Sequence, residues 1–233
     1  MNSSTVYADM DRIDNECMEL YKTLRKVGLE GSQYGDTRPI SSIGTSFQKV
    51  AGVPLVATGS WNKTIKLWDG STPELSLVGH ADMAHEDRIM GMAVLPQEQE
   101  SDSTLLATSS IDLYGKIWKV QKSDVDMKDN NTTTHNNKQN LPFSIAEVVT
   151  LKGHAARLCK VAFHPQGDHV TTTSFDHTWR LWDVQTGQEV LLQDGHWKEV
   201  YGFGFHPDGS LCSSTDYSGV AVSYTHLTLP TKA

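Results

Sequence analysis

Short runs in which apolar and polar side chains alternate recur along most of this chain. Leu55-Val-Ala-Thr-Gly-Ser and Thr64-Ile-Lys-Leu-Trp-Asp read as two strands rich in β-branched residues, with a turn at Trp61-Asn-Lys between them. The same phrase returns as Leu105-Leu-Ala-Thr-Ser-Ser, a turn at Asp112 and a strand ending at Trp118, where Lys119 replaces the Asp that follows Trp68. Its most regular copy is Gly153–Asp183, with Gly153-His154 first, His164-Pro-Gln-Gly and Asp176 as turns, and Trp182-Asp183 last. A fourth copy opens at Gly195-His196 and runs through Phe205-His-Pro-Asp-Gly to Asp216. Strand units repeated in this way cannot bury a face alone, so the pattern predicts an all-β array in which neighbouring repeats stack.

Two stretches break the pattern. From Asp11 to Val27 the apolar positions Ile13, Cys17, Leu20, Leu24 and Val27 recur every three or four residues, which predicts a short amphipathic helix ended by Gly28 and Gly31. Its polar face mixes both charge signs, so packing on the following domain is expected rather than a membrane surface. Between Gln121 and Asn140 the composition turns to Asn, Thr, Asp, Lys and His, too polar to offset ordering entropy, and a disordered insertion is expected. The resulting division is a helix and lead-in over 1–34 and a partial repeat domain over 35–222. Its repeats lie at about 35–78, 79–120, 146–194 and 195–222, with the insertion at 121–140. Six residues past Asp216 stands Val222 rather than Trp, and Ser223 to Ala233 match no part of the repeat. They are expected to be a non-homologous tail, and the chain a fragment.

Composition narrows the function classes. A formal charge of −8 argues against a general grip on nucleic acid. Cys17, Cys159 and Cys212 share no metal-ligand spacing and read as free thiols. No apolar run reaches membrane-spanning length and no secretory core is present, so the Asn-x-Ser/Thr triplets at Asn2, Asn62, Asn130 and Asn131 carry no weight. No phosphate loop or metal cluster is visible, so no cofactor, metal or small-molecule substrate is expected.

The candidate chemistry is a His, hydroxyl and Asp set resembling a hydrolase triad. In the third repeat it comprises His154, Thr172 and Asp176, joined by Trp182; in the second the same order gives His80, Thr108, Asp112 and Trp118. An active site occurs once, whereas this set recurs. The reading is therefore a structural tetrad in which each buried polar group finds a partner, and no enzyme activity is expected. The first repeat keeps Thr58 and Trp68 but has Asn62 in the Asp place and no Gly-His. The fourth keeps His196 and Asp216, with Cys212 in the hydroxyl place and no Trp. Beside these turns, Trp61, Phe175, His177, Trp197, Lys198 and Tyr217 form a candidate partner face. Arg157, Lys160 and Arg180 give the third repeat a basic edge, read as a solvated face.

These repeats resemble WD40 β-propeller proteins. More narrowly, Gly35-Asp-Thr-Arg-Pro-Ile-Ser after a charged helix, Thr172-Thr-Ser-Phe-Asp-His-Thr-Trp-Arg-Leu-Trp-Asp and Gln193-Asp-Gly-His-Trp-Lys-Glu-Val-Tyr resemble the pre-mRNA processing factor 4 family, the WD40 subunit of the U4/U6 small nuclear ribonucleoprotein (snRNP). The resemblance implies a seven-bladed ring, of which about three and a half blades are expected here, ahead of which stands the helix. It further implies a nuclear, non-catalytic scaffold in the U4/U6 snRNP and the U4/U6.U5 tri-snRNP, acting in spliceosome assembly. The implied partners are a pre-mRNA processing factor 3-like protein, other tri-snRNP proteins, and U4 and U6 snRNA, bound directly or through the complex. The alternative is a WD40 adaptor of another complex, such as a ubiquitin-ligase substrate receptor or a chromatin-complex subunit, because a fold does not dictate function.

Overall fold

The computed structural model describes residues 35–123, apart from 47, 73 and 98, and residues 141–225. The helix expected over Asp11–Val27 and the core of the polar insertion lie outside the described residues. Among the described residues fifteen strands form four antiparallel sheets, each a blade built from chain-consecutive strands. The first blade is β1 (Ile40–Thr45), β2 (Leu55–Ser60), β3 (Ile65–Asp69) and β4 (Ser76–Ala81). The second is β5 (Ile89–Val94), β6 (Ser103–Ser110), β7 (Gly115–Lys122) and β8 (Phe143–Leu151). The third is β9 (Leu158–Phe163), β10 (His169–Ser174), β11 (Thr178–Asp183) and β12 (Glu189–Asp194). The fourth has three strands among the described residues: β13 (Val200–Phe205), β14 (Leu211–Asp216) and β15 (Ala221–Thr225).

The first strands of the blades line up side by side, β1 against β5, β5 against β9 and β9 against β13, so the sheets fan out from a shared inner edge. Alternating apolar positions then face the neighbouring blade. Leu55, Ala57, Ile65 and Leu67 of the first blade pack on Ile89, Leu106 and Trp118 of the second. Ala107, Ile117 and Leu151 of the second meet Val161, Val170 and Trp182 of the third. Trp179 and Leu181 of the third meet Val200 and Phe203 of the fourth. The core is thus a series of layers between sheets, which is the architecture of an all-β propeller.

The structure corrects two expected boundaries. Gln121 and Lys122 extend β7, β8 begins at Phe143, and the N–H of Ser123 donates to the carbonyl of Pro142 at 2.8 Å. The insertion is therefore narrower than 121–140 at its amino-terminal end. At the other end, Ser223 and Tyr224 belong to β15, paired with Ser213 and Cys212. The repeat pattern continues past Val222, and the fourth blade is fuller than the half expected.

Two irregularities recur and position the site. Each inner strand carries a one-residue bulge near its start, at Ser41, Met90, Cys159 and Tyr201, opposite Ser60, Ser110, Ser174 and Asp216. A second bulge sits beside Trp68, Trp118 and Trp182, where β3, β7 and β11 meet their outer neighbours. Bulges increase local twist and re-aim side chains. Here they occur at equivalent places in successive blades, so they give each blade the same local geometry around its buried polar cluster.

Candidate functional site

The third blade holds the most complete polar cluster. His154 stands on the loop between β8 and β9, Thr172 in the middle of β10, Asp176 in the β10–β11 turn and Trp182 near the end of β11. The indole N–H of Trp182 donates to Thr172 Oγ1 at 2.8 Å, and Thr172 Oγ1 lies 2.8 Å from His154 Nε2. His154 Nδ1 is 2.7 Å from Asp176 Oδ2, which also accepts the backbone N–H of Ala155 at 3.0 Å. The other carboxylate oxygen accepts the N–H and hydroxyl of Thr178. With Nδ1–H donating to the carboxylate, Nε2 is left to accept the threonine proton, so one proton order satisfies every group. The backbone before the histidine is closely approached: a Cβ at Gly153 would fall 2.5 Å from the flexible tip of Arg180 and 3.1 Å from the Trp182 ring.

Burial sets the electrostatics. Desolvation alone would raise the Asp176 carboxyl, but hydrogen bonds from His154, Thr178 and Ala155 outweigh it and hold the group well below the usual carboxylate range. Asp112 is lowered in the same way, burial being opposed by His85, Tyr114 and Glu86. Asp216 is held at about 2, chiefly by the Ser218 hydroxyl, with burial opposing and His196 adding to the depression.

The second blade corrects the sequence reading. His80 lies within β4, opposite Lys66, with Nε2 3.5 Å from Asp82 Oδ2. The histidine that joins Thr108, Asp112 and Trp118 is His85: Nε2 is 2.8 Å from Thr108 Oγ1, Nδ1 is 2.8 Å from Asp112 Oδ2, and Trp118 donates to Thr108 at 2.8 Å. His85 lies five positions beyond His80, the partner of Lys66, whereas His154 lies four beyond Thr150, the equivalent partner of Lys116. The loop carries one extra residue, and Ala84 rather than glycine precedes the histidine. His85→Ala should therefore destabilise the chain by about 2 kcal/mol, by orphaning Asp112 and Thr108, whereas His80→Ala should cost under about 0.5 kcal/mol. Thermal melts of the two variants distinguish the assignments.

The end blades depart from what counting suggests. The backbone N–H groups of Trp61, Ile111, Phe175 and Tyr217 donate to Pro39, Arg88, Arg157 and Glu199, which marks these four turn residues as equivalent. Asp216 therefore stands in the place of Ser174, two residues earlier than Asp176. Its carboxylate still reaches His196 Nδ1 at 3.1 Å, and the hydroxyl partner of His196 is Ser214 at 2.6 Å, not Cys212. Tyr224 occupies the tryptophan position, its hydroxyl 3.5 Å from Ser214 Oγ. Cys212 is instead buried in the layer facing the third blade, and desolvation raises its thiol to about 11. In the first blade Trp68 donates to Thr58 at 2.9 Å, and Asp36 takes the place of the histidine. Gly35 accepts from Lys66 as Ala84 accepts from Lys116, and Asp36 accepts from Asn62 and Thr64 at 3.3 and 2.5 Å. The acid and its hydrogen-bonding partner have thus exchanged places across the turn.

The geometry of His154, Thr172 and Asp176 is that of a nucleophilic triad, yet the hydroxyl is unsuited to attack. Thr108, Thr172 and Ser214 are each 0% exposed, and both threonines already accept an indole N–H. A nucleophile needs a substrate-accessible oxygen. The clusters can instead tie the loop ahead of each inner strand to the two middle strands.

The six expected face residues lie at the turns. Trp61, Phe175 and Tyr217 share equivalent positions, the first two half-buried beneath Arg88 and Arg157. His177 is exposed with φ of +69°, Lys198 is exposed, and Trp197 and Tyr217 are 90% and 71% exposed. Tyr201, which sequence reasoning missed, is exposed and lies edge-on to Tyr217 at 6.1 Å. Its bulge position follows only from strand pairing. Arg180 of the basic edge is paired with Glu189 at 2.6 Å.

Among protein families, the WD domain, G-beta repeat, matches residues 37–69 and 146–183. The chain is 30% identical over 72% of its length to the U4/U6 small nuclear ribonucleoprotein PRP4 of Saccharomyces cerevisiae, of which it spans 30%. It is 27% identical over 71% of its length to the nuclear distribution protein PAC1 of Komagataella phaffii, of which it spans 31%. The chain thus spans about a third of the length of these curated relatives. Among solved structures, the computationally designed Ika4 protein superposes with a TM-score of 0.58 over 84% of this chain and 97% of that one, at 22% identity, a likeness of fold alone.

Proposed function

This chain carries WD40 repeats folded as blades of an all-β propeller, and on that premise we propose that it is a non-catalytic interaction scaffold of the U4/U6 snRNP and the tri-snRNP. The observation that carries the scaffold reading is the repetition of one buried polar cluster in blade after blade, with its hydroxyl sealed from solvent. WD40 propellers generally serve as rigid platforms for other proteins, and a repeated fastener suits that use. The splicing assignment is supported by the relative named as a U4/U6 snRNP protein, and with it go a nuclear location, a pre-mRNA processing factor 3-like partner, and U4 and U6 RNA. Trp61, Phe175, His177, Trp197, Lys198 and Tyr217 are proposed as the partner face because their turns emerge together and two of them expose most of an aromatic ring.

A second reading, an adaptor of another complex, draws on the comparable match to a nuclear distribution protein. Affinity purification of the tagged chain from nuclear extract separates the two. U4 and U6 RNA enriched over an untagged control is the expected result. A ligase or chromatin subunit enriched without either RNA would replace the splicing assignment.

A further inference from the structure

Arg88 and Arg157 occupy the same position in neighbouring blades. Each immediately precedes an inner strand, and each offers its carbonyl to the N–H of a turn residue, Ile111 or Phe175. Both side chains are exposed, and both guanidinium groups lie over an aromatic ring. Arg88 Cζ is 4.8 Å from the centroid of Trp61, and Arg157 Cζ is 3.8 Å from that of Phe175. Among the described residues neither guanidinium has a carboxylate within ion-pair distance, whereas Lys66, Lys116 and Arg180 each do. The equivalent positions of the first and fourth blades hold Pro39 and Glu199, so the basic pair is confined to the two middle blades.

A guanidinium stacked on a ring keeps its in-plane N–H donors free while losing much of its conformational freedom. Each such group, oriented and without a carboxylate partner among the described residues, suits a planar anion. We infer that Arg88 and Arg157 together seat an acidic peptide segment of a partner protein, each guanidinium engaging one carboxylate through two hydrogen bonds. The inference rests on the scaffold reading and names the chemistry of one partner. A peptide is favoured over RNA because Glu86, Asp87 and Glu199 flank the pair and the chain carries a charge of −8. Those charges repel a continuous phosphate backbone, while two discrete carboxylates can still be accommodated.

Fluorescence anisotropy of the whole chain tests this, with a labelled glutamate-glycine dodecapeptide as one probe and an oligouridylate of the same length as the other. The peptide should bind, more weakly as salt rises. The double variant R88Q/R157Q should lose about tenfold in affinity with an unchanged melting temperature. R88K/R157K should recover only part of that loss, since an ammonium neither stacks flat nor pairs in bidentate fashion. No binding by the wild-type chain, undiminished binding by the glutamine variant, or full recovery by lysine would overturn the inference. Oligouridylate binding more tightly than the peptide, and lost in R88Q/R157Q, would reassign the pair to RNA. Absence of U4 and U6 RNA from the purified complex with peptide binding intact would reject the splicing assignment and leave this receptor standing.

Discussion

Replacing Asp176 with alanine is expected to lower stability by about 3 kcal/mol, which in a chain of this size shifts the melting temperature by about 6–12 °C. The carboxylate accepts His154 Nδ1, the Ala155 N–H, the Thr178 N–H and the Thr178 hydroxyl, so alanine orphans several donors at once. The loss is largest at the histidine, whose side chain is 1% exposed, so that water cannot replace its lost partner. The sign of the pH dependence follows from the depressed carboxyl. A group whose folded pKa lies below its unfolded value of about 3.9 stabilises the fold fully above that value. The contribution drains away as pH falls through the folded value. Asp112, Asp176 and Asp216 are all depressed, so wild-type melting temperature should fall steeply below pH 4, toward the value of about 2 held by Asp216. Asp176→Asn should flatten part of that slope. Melts by circular dichroism at stepped pH measure both effects, and an Asp176→Ala variant within 1 °C of wild type would sink the assignment.

Trp182→Ala is expected to be costlier, about 4 kcal/mol or about 8–16 °C in melting temperature. Trp182 is 1% exposed and packs in the layer formed with Ala107, Ile117, Leu151, Val161 and Phe163, so its loss opens a cavity between the second and third blades. It also removes the donor to Thr172. Trp182→Phe separates the two effects by keeping much of the ring while deleting the N–H, and should cost about 1–2 kcal/mol. Trp179 supplies the contrast. It is equally buried, but its Nε1 has no hydrogen-bond partner among the described residues. Trp179→Phe surrenders no hydrogen bond and should destabilise less than Trp182→Phe. Equal losses at the two positions would mean that the indole donor of Trp182 contributes nothing.

The strand phrases were legible because each blade repeats its alternation of apolar and polar positions, and the third blade's cluster could be counted directly. Counting failed where spacing changed without a change in chemistry. Gly79-His80 carries the expected dipeptide, but one extra loop residue places His85 in the pocket and Ala84 where glycine usually stands. In the fourth blade the acid stands two positions earlier, because an aspartate in the turn-opening place is long enough to cap the turn and reach His196 at once. Offsets measured from that acid therefore landed on Cys212 and Val222, while strand pairing identifies Ser214 and Tyr224. Asp36 was hidden for a related reason, since a carboxylate facing an asparagine is the reverse of the order being sought. The arginine stacks depend on contacts between turns and on a neighbouring blade, which local periodicity does not encode.

The recurring histidine, hydroxyl and aspartate sets are proposed to fasten each blade internally, tying the loop ahead of its inner strand to the two middle strands. A double-mutant cycle on His154→Ala and Asp176→Ala, read by equilibrium unfolding in urea, tests it most directly. If the pair is a structural fastener, the double variant should be less destabilised than the sum of the singles, with a coupling of about 1.5–3 kcal/mol. Additive losses, or single variants as stable as the wild type, would contradict it.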